Sequence, residues 1–166
     1  MTNYNHFMYV EALAMGLMDI SHSVDNKRFF RATGQTKMEE LMNNFRSVSG
    51  GAMIAVDGKI IDFGWNDSDS LMVNPRYGIV ILFPAQSTDS GSIFIAQDRA
   101  AQVALQCIAK IMQDARKYIN GCDKIDPSSF QIDGFGPFAD YYFGVEISYS
   151  LSDGLNYQLN PQMWNS

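Results

Sequence analysis

The sequence predicts an α+β fold, with a mixed or antiparallel sheet, one long helix packed on it and two N-terminal helices. Three observations predict it. Residues 77–83 read YGIVILF, an almost unbroken apolar run of the kind found in a central strand. Residues 94–120 place Ala100, Val103, Ala104, Cys107, Ile108, Ile111, Met112, Ala115 and Ile119 at helical spacing. Residues 141–151 alternate, with Phe143, Val145, Ile147, Tyr149 and Leu151 on one face and Tyr142, Gly144, Glu146, Ser148 and Ser150 on the other, as in a half-buried antiparallel strand. A chain of 166 residues is long enough for one core and short for two, so residues 1–166 are expected to form one domain.

From the N-terminus, Phe7, Val10, Ala14, Leu17 and Met18 recur at helical spacing, with Leu13 and Ile20 close by, and predict an amphipathic helix over 4–20. Ser21-His22-Ser23 breaks it, and residues 27–32 form a short extended segment carrying Phe29 and Phe30. Thr36 with Glu39 three residues on forms a capping box for a second helix whose apolar face is Met38, Leu41, Met42 and Phe45, ended by Ser49-Gly50-Gly51. Strand-like pieces follow at 52–56 and 60–65, separated by a turn at Asp57-Gly58, and then a polar loop from Asn66 to Ser70. Pro84 stops the 77–83 strand, and residues 86–91 are a polar loop. Gly121 stands where a left-handed cap ends the long helix, and Lys110 and Asp114, four apart, suit its exposed side. Asp126-Pro127-Ser128-Ser129 is a linker, Phe130 and Ile132 begin a strand, and Gly134-Phe135-Gly136-Pro137 bends it. Leu155 to Leu159 offers a further short strand before Asn160-Pro161.

A hydrophobic fraction of 46% with 18% charged residues excludes a disordered chain, and the formal charge of −6 speaks against a nucleic-acid binder. The aromatic share of 13% and ten methionines are on the rich side; such side chains fill cores and also the centres of interfaces, and more apolar material than one small domain can hide would favour an oligomer. Lys27, Arg28 and Arg31 make a basic stretch near the front. From Cys122 onward Asp123, Asp126, Asp133, Asp140, Glu146 and Asp153 face Lys124 alone. A basic front and an acidic back suit head-to-tail docking in a ring, although surface charge also serves solubility.

Neither Cys107 nor Cys122 lies in a Cys-x-x-Cys pair or near a histidine at metal spacing; reduced cysteines in a cytoplasmic protein are expected, with a disulfide between the two as the alternative. No secretory leader is evident at residues 1–6, and no apolar run approaches the ~20 residues of a membrane span. Asp19, His22 and Asp25 are spaced three apart, but a helix break at Ser21 to Ser23 argues against one ligating face, and no metal or other cofactor is expected. Asp89-Ser90-Gly91 lacks the first glycine of a nucleophile elbow, and Thr33-Gly34-Gln35-Thr36-Lys37 lacks the second glycine of a phosphate loop. Asp114 beside Arg116, and Glu146, are the candidate carboxylates for acid–base work, with helix-surface salt bridging the commoner role and no second carboxylate placed near Glu146 by sequence. The chain reads as a non-enzyme.

The motifs DISHSVDNKRFFR (residues 19–31) and MEELMNNFRS (38–47), a middle strand, a long helix with Asp114 near its end, YFGVEISYSL (142–151) and a closing Asn160-Pro161-Gln162-Met163-Trp164 together resemble a family of small prophage tail-completion, tail-terminator or head–tail joining proteins. The resemblance covers most of the chain and lapses between residues 52 and 71. It implies a small α+β subunit that closes into a ring on the end of a tail tube, with other tail or neck proteins as partners, assembled in the cytoplasm and carried in the virion. It brings no catalytic residues. The expected interface residues are Lys27, Arg28, Arg31, Tyr157 and Trp164, the tryptophan as an aromatic anchor, with its folding back on its own subunit left open. Competing readings are a small-molecule-binding or enzymatic domain with a pocket between helix and sheet, and an acidic immunity or inhibitor protein that masks a basic partner.

Overall fold

The fold comes from a computed structural model that describes residues 4–154 and 161–163, apart from the side chains of Gln35, Thr36 and Arg46. Helix α1, His6–Gly16, starts where Asn5 accepts a bond from the Met8 amide at 3.2 Å, and it buries His6, Tyr9, Val10, Leu13 and Ala14. It is shorter than the apolar spacing suggests. Leu17 is already extended, and the chain folds back so that the His22 amide bonds to the Ala14 carbonyl. Met18 therefore faces solvent, and Ile20 takes the buried place expected of it.

Strand β1, Phe29–Ala32, leads into helix α2, Gln35–Asn44. The capping position is Gly34, at φ 140°, rather than the expected Thr36, which lies inside the helix: the glycine, at positive φ, turns the chain into the helix two residues earlier. Phe45 sits in a 3₁₀ turn after α2 and is fully buried against Phe30, Phe138 and Tyr142, with ring centroids 4.8–5.0 Å apart.

Strands β2, Ala52–Trp65, and β3, Leu71–Pro84, form one long antiparallel hairpin. The expected turn at Asp57-Gly58 is instead a bulge within β2. Asp57 accepts from the Lys59 amide at 3.0 Å and pairs with its ammonium at 2.5 Å, which takes up the extra residues while the strand continues. β3 also begins six residues before the apolar run, because Leu71 to Arg76 pair with Trp65 to Ile60 despite Pro75.

Helix α3, Ser90–Arg116, is capped by Asp89, whose carboxylate accepts from the Gly91 amide at 3.0 Å. It ends four residues short of Asn120. Tyr118, Asn120 and Gly121 all have positive φ, so the left-handed glycine expected as a cap closes a turn beyond the helix. Strands β4, Gln131–Phe138, β5, Tyr142–Ser150, and the short β6, Asp153–Gly154, complete a six-stranded sheet in the order β1-β2-β3-β5-β4, with β6 beside β3. β1 runs parallel to β2 and the other pairs are antiparallel, so the sheet is mixed.

Helices α1 and α3 cover one face, where Val103, Cys107 and Ile111 pack with Met53, Ile79, Ile81, Val145 and Ile147. On the other face α2 and Phe45 cover Ile54, Val80, Leu82 and Tyr142. β5 is thus buried on both faces at its start, and only its second half has the open face that alternation suggests. Among the described residues no helix is long and apolar enough to cross a membrane.

Candidate functional site

Beyond the bulge at Asp57, the β2–β3 hairpin leaves the two covering layers and continues as an arm of about 20 Å, six residues of strand at ~3.3 Å each. Its alternation puts Ile61, Phe63 and Trp65 in one row on the same face of the sheet as α1. The row outruns the helix, and these side chains are 47%, 63% and 69% exposed. Ile60 is also exposed, on the opposite face. Three large apolar groups aligned on a projecting hairpin make a contiguous patch, unlike scattered surface hydrophobes. At the tip, Asn66 folds the loop by accepting from the Ser68 and Ser70 amides at 3.0 and 2.8 Å, and this presents Asp67 and Asp69, which have no ion-pair partner among the described residues.

The second feature is a groove of about 780 Å³ on the other face, where α2 stops short. Met38, Met42, Val80, Phe135 and Phe138 form its apolar side. Glu146 lies on its floor, directly across the ladder from Asp133 and resting over Gly78, where a Cβ would come within 2.8 Å of its Oε1. Burial, and then the Asp133 carboxylate, push the Glu146 carboxyl above its ordinary range. The second carboxylate that the sequence leaves unplaced is therefore Asp133. Asp133 is itself held by Gln131, whose amide donates at 2.8 Å, while Arg76 across the groove pairs with Asp62 at 2.5 Å.

The third feature is a groove of about 480 Å³ at the β1 edge, lined by Glu11, His22, Val24, Lys27, Phe30, Arg31 and Leu41 among others. Here Lys27 and Arg31 of the basic stretch are brought together, while Arg28 lies outside the lining. Arg31 pairs with Glu11 at 2.5 Å, Arg28 bonds to the Asn26 side chain and to the Gly51 carbonyl at 3.1 and 3.3 Å, and Lys27 lies 5.3 Å over the Phe30 ring with no carboxylate partner among the described residues. Val24 is 100% exposed at its rim. Tyr157 and Trp164 lie outside the described residues.

The remaining chemistry-bearing residues are structural. His22 accepts from the Arg28 amide at 3.1 Å and Asp19 pairs with Arg99, so neither is free to ligate. Among the described residues no group of three His, Cys, Asp or Glu is placed to hold a metal ion. Both cysteines are free thiols, buried, and burial pushes Cys107 up to about 12 and Cys122 up to about 11. Asp114 is buried rather than on the exposed side of α3. Burial alone raises its carboxyl, but bonds from Lys110 at 2.5 Å and the Tyr9 hydroxyl at 2.8 Å together hold it below the ordinary range. His6, 3% exposed, donates through Nε2 to the Gly78 carbonyl at 2.9 Å, because a carbonyl can only accept. Its Nδ1 then accepts from the Tyr149 hydroxyl at 3.1 Å, with Tyr4 bonded to Tyr149 at 2.5 Å. Among known proteins, the chain matches no family model, no curated protein and no solved structure.

Proposed function

We propose that this chain is a structural assembly subunit, of the ring-forming tail-terminator or head–tail joining kind that its sequence resembles, carried in a phage or phage-derived particle and joined to tail or neck proteins. The single observation that supports assembly is the arm, whose row of Ile61, Phe63 and Trp65 is left largely exposed by the described residues. Leaving three such groups in water costs solubility unless a partner covers them, and aromatic anchors of this type hold most of the energy of an interface. The assignment to tails rests on the motif resemblance and on nothing in the fold.

Two measurements test the reading. Light scattering of the purified chain over a concentration series is expected to show a discrete multiple of the subunit mass, and Trp65→Ser, made on an exposed side chain, is expected to shift it towards the monomer. Electron microscopy of particles produced without this chain is expected to show tails with unfinished or unjoined ends. Normal particles would end the tail assignment, and a monomer indifferent to Trp65→Ser would end the self-assembly one.

A second reading takes the groove beneath α2 as a ligand site, favoured by the half-buried Glu146, which has no hydrogen-bond partner among the described residues. Such a site suits a small cation with an apolar body. A thermal-shift screen of organic amines, with Glu146→Gln abolishing any shift, is its test.

A further inference from the structure

We infer that the occupant of the β1-edge groove is the arm tip of a second copy of this chain, so that copies join head to tail. This rests on the assembly reading above and names its contact.

The placement of the two features is the first argument. β1 pairs with the opening residues of β2, Phe29 opposite Met53, whereas the arm tip follows Trp65 at the far end of the same strand. The two lie on the order of 35–40 Å apart along one continuous strand, which keeps one from reaching the other within a subunit. Features at opposite ends of a rigid element meet only between copies. Because the two surfaces differ, the contact is heterologous, and repeating it closes a ring or extends a filament.

Charge is the second. The tip carries Asp67 and Asp69 with no ion-pair partner among the described residues, whereas the groove is lined by Lys27 and Arg31 against the one carboxylate of Glu11, leaving it net positive. Lys27 lacks a carboxylate partner among the described residues, so it meets the acidic tip without breaking the Arg31–Glu11 pair. Such pairs at a rim mainly set orientation and partner choice. The apolar groups complement each other as well. Trp65 and Phe63 stand directly behind the acidic tip, and Val24 and Leu41 stand beside Lys27 at the groove. Each side is therefore a charged lip backed by an uncovered apolar group.

A charge swap tests this. Lys27→Glu alone, and Asp67→Lys with Asp69→Lys, are each expected to weaken self-association by roughly tenfold or more, and the triple variant carrying all three changes is expected to restore it. Association is read by light scattering and analytical ultracentrifugation up to the solubility limit. Unchanged melting temperatures check folding, since all three side chains are surface groups. Restoration in the triple variant supports the contact. If Trp65→Ser dissociates the assembly while the charge variants leave it intact, the arm docks elsewhere, which overturns this contact and spares the assembly reading. If the wild-type chain stays monomeric throughout, or if neither Trp65→Ser nor the charge variants matter, both fall.

Discussion

His6 is the residue whose burial makes the clearest demand on solution conditions. Its imidazole is neutral in the fold, with burial lowering its pKa from 6.5 to about 4, while the unfolded chain takes up a proton near 6.5. A depressed folded pKa means that its contribution is complete above pH 6.5 and is lost as pH falls through about 4. A depression from 6.5 to about 4 corresponds to about 3 kcal/mol. Urea unfolding between pH 7 and 4 is expected to show this loss, and His6→Gln to flatten the slope between about 6.5 and 4 even though it lowers stability overall. An equally steep slope in the variant would assign the acid sensitivity to the carboxylates instead. Tyr9 and Asp114 make a second residue-scale case. The Tyr9 hydroxyl is the link from α1 to the Asp114 carboxylate of α3. Tyr9→Phe leaves Lys110 as Asp114's remaining partner and is expected to cost about 1–3 kcal/mol in urea titrations.

At the scale of elements, the close approach of β5 to β3 depends on Gly144. A Cβ built there collides with the Ile81 carbonyl, a backbone atom with no room to move. Gly144→Ala is therefore expected to destabilise by more than ~2 kcal/mol, measured as a lowered denaturant midpoint, where Gly154→Ala, in open space, changes little. The bulge at Asp57 to Lys59 is the other element-scale device. It shifts the register by two residues while keeping Val56 and Ile60 on one face, so the row of Ile61, Phe63 and Trp65 stays on the side of α1. That parity is what makes the arm's apolar row continuous with the Tyr4, Tyr77 and Tyr149 cluster under the helix.

For the whole molecule, the two sheet faces divide the work. The face under α1 and α3 is a closed core, whereas the face under α2 is covered only in part, and the arm extends past both. Stability and assembly are thus expected to separate. Trp65→Ser and Phe63→Ser should leave the melting temperature of the isolated subunit unchanged, or raise its solubility, while reducing its assembled mass. Ile111→Ala, in the fully buried stripe of α3, should lower stability by about 2–5 kcal/mol whatever the state of assembly.

Local pattern was enough for the α+β class, for the packing of the 103/107/111 stripe on the strand at 77–83, and for the alternation in the second half of β5. Each of these is written in apolar spacing, and burial against a sheet only reinforces it. Caps and ends were less legible. Gly34 displaces Thr36, and the first and third helices stop early, because helix ends answer to where the chain must turn and not to its apolar period. Only the tertiary structure decided which surfaces matter. The length of β3 was hidden by Pro75, although the five-residue polar loop between two β-rich flanks carried a hairpin signal. The pairing of Glu146 with Asp133, the burial of Asp114 and the exposure of Trp65 have no local signature at all. Each depends on what another part of the chain, far away in sequence, does or does not cover, and coverage is a property of packing.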